Sequence, residues 1–467
     1  MIRRLSLIIG IFSIICAKTS IKTILPTKRT PINVNIYIHG TIKPRLSLCD
    51  FFKTLNDTAH NSMYAEITRL VRIDKFFHQT QPMQDLGLKK AFPTKEKKES
   101  GAYIFAKAYE EMSKIANPKA PQTKHYTFGW SGLLTRRSRR RSAKKLYEEL
   151  TRKVKNLRKE GFEPIIRIIG YSHGGNVALH LAEEARDVRH YPFTVQELIL
   201  ISAPIQMETR NYVNNPLFKK VFNFYSAGDH VQTGDFLSSL THSFGHHTFL
   251  SEGSFKRPSK ITDIQVRFIR KKILIPQKDG KIKTLYRTDY INPTHTEMFF
   301  FGWAAEWYRR HFPIKPLSVA LLIPLIQEKI KKHNLEGKSI KVTIIPEDEK
   351  MIFSVSDEKD ITTQFFTKKE MNKIKKDLLK YQPKNYKKQY HNRVKEIKEE
   401  AKKIHKEKMK QRKVKRKLKV HNIKTKTQHS TMPRQNPPKQ IFSPIAIAPK
   451  NLPSSTAVHV MPTPQKK

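Results

Sequence analysis

Cysteine is nearly absent from this chain: two residues in 467, Cys16 and Cys49. A disulfide framework is excluded on that count, and with Cys16 inside an expected leader, Cys49 stands as a lone thiol. The apolar run Leu5 to Cys16 is too short to span a bilayer as a helix. No internal repeat is apparent, which argues against a solenoid or propeller. Acidic residues are scarce, with 40 Asp and Glu against 90 Lys and Arg and a formal charge of +50. Such an excess points to an anionic partner, a membrane surface or nucleic acid; drift toward Lys, Ile and Asn codons explains it equally well. Either way it bears on partners and not on fold. At this length the chain exceeds one average domain and can bury a full core.

Residues 1–20 read as a secretory signal peptide. Met1-Ile2-Arg3-Arg4 is basic, Leu5 to Cys16 is apolar, and Ala17 and Ser20 are small residues where cleavage is possible. Ile15 is bulkier than usual for cleavage after Ala17, so an uncleaved N-terminal anchor is the alternative. Export, to the periplasm, the outside or a membrane surface, is the expected localisation. The main domain is expected over 28–315, a small accessory α+β segment over 316–382, and a Lys-rich and Pro-rich tail, largely disordered, over 383–467. Thr367 with Glu370 forms a capping-box pattern in the accessory segment, and 340–345 with 351–356 pair as a hairpin.

The most informative stretch is Gly170-Tyr171-Ser172-His173-Gly174, directly after the apolar run Ile165 to Ile169. A G-x-S-x-G between a strand and a helix is the pattern of a nucleophile elbow, a turn so sharp that the neighbours of the serine must lack bulk. Gly175 to Ala182 then reads as a helix whose N-terminus aims backbone N–H groups at the reaction centre. Other strands are expected at Ile32–Ile38, His125–Phe128, Val195–Ser202, Val221–Ser226 and Ile264–Ile269. Ala143, Leu146, Leu150, Val154 and Leu157 mark an amphipathic helix between two of them. Strands alternating with helices predict an α/β fold, with a mostly parallel sheet covered on both faces. Right-handed crossovers bring the C-terminal ends of its strands to one edge. The excursion from Asp50 to Ile115 is either a cap over that edge or an ordinary crossover.

A serine hydroxyl needs an imidazole to take its proton, and the imidazole needs a carboxylate to fix its tautomer. The chain order that accompanies this elbow is Ser, then acid, then His. Asp229 lies in a glycine turn after the strand ending at Ser226, and His295 lies in a loop before a helix expected from Met298 to Arg310. Asp235 and Asp263 compete for the acid, and His242, His246 and His247 for the base. His242 and His246 also have the spacing of metal ligands, although Gly245 argues against the helix that would hold them together. Trp130 either lines an acyl pocket or packs as a loop aromatic.

On these residues, the strand ending in His39-Gly40-Thr41 and the elbow G-Y-S-H-G-G, the chain resembles the α/β-hydrolases, particularly their lipase and esterase members, over roughly residues 31–312. The resemblance implies an α/β-hydrolase fold and a serine hydrolase with Ser172, His295 and Asp229 as its triad. It also implies an oxyanion hole made of the backbone N–H groups of Thr41 and His173. The substrate class implied is a carboxylic ester, small or lipid, and neither a cofactor nor a metal is called for. The competing reading is a non-catalytic binding protein whose basic tail takes an anionic membrane or nucleic acid, nucleic acid being disfavoured by the leader.

Overall fold

The run Leu198-Ile199-Leu200-Ile201 shows how the molecule is layered. In a strand, successive side chains leave opposite faces. Leu198 and Leu200 enter one apolar cluster, while Ile199 and Ile201 enter another on the far side of the sheet. Both faces are buried, so the strand reads as continuously apolar rather than alternating. The computed structural model describes residues 29–42, 62–92, 100–186, 190–233, 245–251, 253–277, 280–304 and 308–429. The expected leader, Cys49, Asp235, His242 and the tail beyond residue 429 lie outside these.

The strands are β1 (Thr30–Ile38), β2 (Gly87–Lys90), β3 (Thr123–Gly129), β4 (Phe162–Tyr171), β5 (Val195–Ile201), β6 (Phe218–Tyr225), β7 (Ile261–Pro276), β8 (Ile282–Ile291), β9 (Ser339–Ile345), β10 (Lys350–Val355) and β11 (Ile361–Gln364). They form one mixed sheet in the order β11-β10-β9-β7-β6-β5-β4-β1-β3-β2, with β8 paired to β7. From β3 across to β9 every neighbouring pair is parallel. Among the described strands of this sheet, antiparallel pairing is confined to β2, the β7–β8 hairpin and the β9–β10–β11 meander. The protein is therefore α/β, with a mostly parallel sheet and helices.

The helices that bear on the site are α1 (Met63–Ile73), α2 (Gly101–Ala116), α3 (Arg136–Lys159), α4 (His173–Leu179), α5 (His230–Thr233), α6 (His295–Phe299), α7 (Ile323–Lys332), α8 (Lys368–Leu379) and α9 (Tyr386–His429). The expected stripe on α3 is its buried face. It packs with α4 residues on one side of the sheet, while α2, α7 and α8 contribute to the cluster on the other. Among the described residues no helix is long and apolar enough to cross a membrane.

In the 316–382 segment, β9 pairs in parallel with β7 and continues the main sheet. The hairpin and the Thr367–Glu370 capping box do form there. The last strand does not stop near Ile269; it runs to Pro276 and returns as β8, delivering Ile291 beside Phe268. The helix expected from Met298 to Arg310 is a short one ending at Phe299. Beyond it, the N–H of Phe301 goes to the carbonyl of Thr80 and that of Gly302 to Pro316, so tertiary bonds replace helical ones.

The Lys-rich stretch after Pro383, expected to be a solvated helix at best, is helical from Tyr386, and one stripe of it is buried. Val394, Ile397 and Ala401 join Ile67, Leu70, Val71 and Phe77 in a third apolar cluster. Tyr386 stacks on Phe76 with centroids 4.7 Å apart, and Arg393 pairs with Asp74 at 2.5 Å. High Lys density concealed an apolar stripe at helical spacing.

Candidate active site

Ser172 leaves β4 with φ 51° and ψ −131°, outside the regions open to most side chains. Holding a non-glycine residue there costs about 1–3 kcal/mol, which the surroundings must over-determine. They do so through backbone. The Ser172 N–H donates to the carbonyl of Ile201 at 2.8 Å, locking the turn to the end of β5. Gly174 passes so close to β1 that a Cβ would stand 2.5 Å from the carbonyl oxygens of both Ile38 and His39. At Gly40 a Cβ would meet the Ser172 Cβ at 2.8 Å, so the loop after β1 lies directly against the serine. Adjacent parallel strands β1 and β4 thus end together, at the sheet edge where open α/β folds place ligands.

Asp229 and His295, expected as acid and base, lie side by side. His295 Nδ1 and Asp229 Oδ2 are 2.8 Å apart, across 66 residues of chain. Asp229 is fully buried. Burial by itself would raise the pKa of its carboxyl. The imidazole of His295 and the N–H of Gln232, which donates to Oδ1 at 3.1 Å, outweigh that and hold it below the ordinary carboxylate value. With Nδ1–H given to the carboxylate, the Nε2 of a neutral His295 carries the lone pair needed by a general base.

Tyr171 connects this pair to the elbow. Its hydroxyl donates to the carbonyl of His295 at 3.1 Å, and its ring centroid lies 4.8 Å from the imidazole. The same ring stacks on Phe299 at 4.5 Å and 5°. Ser172 is the next residue, so Ser172 and His295 are carried by elements in direct contact. The His295 turn is braced from behind as well. Thr294 and Glu297 close a capping box around it, and the buried Glu297 accepts from Arg309 at 2.6 Å.

The loop after β1 is rigid for a different reason. His39 Nδ1 lies 2.7 Å from the carbonyl of Gly40, and the backbone N–H of Trp130 donates to His39 Nε2 at 3.3 Å. The indole N–H goes to the carbonyl of His39 at 2.7 Å, with the rings stacked 5.8 Å apart. Burial, and then the nearby Arg72, push the His39 pKa well down, so this imidazole is neutral and structural. Trp130 is buried in that bracket. Thr41 follows Gly40, and Ile42 is pinned by its N–H to the carbonyl of Gly132 at 3.2 Å. His173 opens α4, where the first N–H groups of a helix have no carbonyl four residues back to bond. Its ring meets the buried Arg139, with Nδ1 3.5 Å from Nη1.

The competing residues that lie among the described ones make other contacts. Asp263, near the start of β7, accepts from Arg257 at 3.0 Å and from Asn223 at 2.7 Å. His246 forms a backbone bridge with Ile205. His247 Nδ1 is 2.7 Å from Gln232 Oε1, and its ring stacks on Tyr225. Tyr171, Gln232 and Arg309 went unrecognised in the sequence; only the T-x-x-E of Thr294 and Glu297 gave a local signal.

No family model matches this chain, and no curated protein or solved structure matches it either.

Proposed function

We propose that this protein is a serine hydrolase of the α/β-hydrolase type, cleaving carboxylic esters through Ser172, His295 and Asp229. The observation that carries the reading is the 2.8 Å contact between His295 Nδ1 and the buried Asp229, beside a serine held at φ 51° on the same sheet edge. The order of the three along the chain, each after a strand of a mostly parallel sheet, supports the fold assignment.

In this mechanism Ser172 Oγ attacks the ester carbonyl as His295 Nε2 takes its proton. Asp229 keeps the imidazole in the productive tautomer and stabilises the imidazolium that forms. The N–H groups of Thr41 and His173 receive the oxyanion, each contributing about 3 kcal/mol to the transition state. His295 then hands the proton to the departing alkoxide, leaving an acyl-enzyme on Ser172. Water, deprotonated by the same imidazole, attacks that acyl group and releases the acid. Every proton moves through one nitrogen, and no other cofactor enters the scheme.

Ser172→Ala tests the proposal. Turnover of a p-nitrophenyl ester and labelling by a fluorophosphonate probe are both expected to vanish, with the melting temperature retained. Turnover that persists in this variant rejects the assignment.

A further inference from the structure

We infer that the distal part of α9, residues 408–429, is a docking surface for an anionic lipid bilayer. α9 is a 44-residue helix. Its first turns carry the apolar stripe that packs on the α/β domain. That stripe shares its cluster with Ile42, next to the proposed oxyanion residue Thr41. Farther on, the character changes. Residues 408–429 hold eight Lys and two Arg, and no Asp or Glu occurs after Glu407. Lys410, Lys413, Lys415, Arg416 and Lys417 are exposed. A row of cations without a single acid in its own segment is complementary to a surface of negative headgroups, which attracts each charge independently of exact register.

Three features favour lipid over nucleic acid. No Phe, Tyr or Trp occurs from His391 to His429, so the side chains that stack most strongly on bases in single-strand binding are missing. Lys outnumbers Arg, whereas the planar guanidinium is the group suited to bidentate phosphate and base contacts. Met409, Val414 and Leu418 stand among the cations at 42%, 57% and 57% exposure. Such side chains gain by entering the headgroup boundary while the neighbouring Lys stems snorkel. A chain that hydrolyses lipid esters would thereby be held at the surface containing them, a clause that rests on the function proposed above; the docking itself does not.

The test uses the full-length chain and a variant with Lys410, Lys413, Lys415, Arg416 and Lys417 all changed to Gln. Glutamine preserves helix propensity, and circular dichroism checks that it has. Co-sedimentation is measured with phosphatidylcholine vesicles with and without phosphatidylserine. The parent is expected to bind only the anionic vesicles, and the variant to bind them more than about a hundredfold more weakly after allowance for screening. Hydrolysis of a soluble short-chain ester should be equal in the two. Sedimentation reads docking without reference to catalysis, so a dead enzyme that still docks fails only the function proposal. Equal binding by parent and variant, or equal binding to neutral and anionic vesicles, overturns the inference. Tighter binding of the parent to duplex or single-stranded nucleic acid than to anionic vesicles at matched salt overturns it in favour of that partner.

Discussion

Replacing Asp229 by Asn removes one charge and almost no volume, which makes it the sharpest probe of the proposed chemistry. The Ser202 side chain, the Gln232 N–H on Oδ1 and His295 Nδ1 on Oδ2 all bear on this carboxylate, and the last two decide the outcome. The amide oxygen of Asn retains the bond from Gln232. Toward His295, an NH₂ now faces Nδ1, and the imidazole meets it best with its lone pair there and its proton on Nε2. That is the wrong tautomer for accepting a proton from Ser172. Loss of the same charge in other triads costs roughly 10⁴ in kcat, equivalent to about 5.5 kcal/mol. Stability should change far less, by about 1–3 kcal/mol, the range for a buried hydrogen bond to a charged group. The pH dependence separates the two effects. Because the folded pKa of Asp229 is depressed, its contribution is fully present above the unfolded carboxylate value and is lost as pH falls through the folded one. The parent should therefore lose a stability increment in acid that Asp229→Asn never had. Steady-state turnover of a p-nitrophenyl ester, with urea titrations across the acid range, measures both. A kcat within about tenfold of the parent would refute the tautomer argument.

Tyr171→Phe keeps the stack on Phe299 and deletes the bond to the His295 carbonyl. A kcat reduced by about tenfold with KM unchanged is expected, the net value of about one hydrogen bond expressed through imidazole placement; equal loss in KM would assign the residue to substrate binding instead. Ile397→Asp puts a carboxylate into the cluster of Ile67, Leu70 and Phe77. Urea denaturation should show a loss of about 3 kcal/mol or more, whereas a solvated helix would lose under about 0.5 kcal/mol.

What the sequence revealed and what it hid divide along the range of the interactions involved. The elbow was legible because strand, turn and helix are written in contiguous residues, and the glycines flanking Ser172 are a local requirement of its backbone. β5 was legible because both its faces are buried, leaving the unbroken apolar run Leu198 to Ile201, and β4 and β6 because only Arg167 and Asn223 interrupt their apolar cores. Asp229 and His295 were legible as loop residues at strand ends, in the order the elbow demands. β2 was invisible, since Gly87 to Lys90 is a strand only by borrowing the edge of β3. Phe300 to Gly302 carry a helical pattern yet leave the helix, because Thr80 and Pro316 offer their carbonyls to Phe301 and Gly302 from distant parts of the chain. Tyr171 hid in plain sight as the variable position of G-x-S-x-G; its role depends on a carbonyl 124 residues away. Local rules name the candidate reacting groups, then, but the brace that positions them is built from contacts no window of sequence contains. For that reason Tyr171→Phe, far more than any change within the glycines of the elbow, reports on whether these groups act as one site.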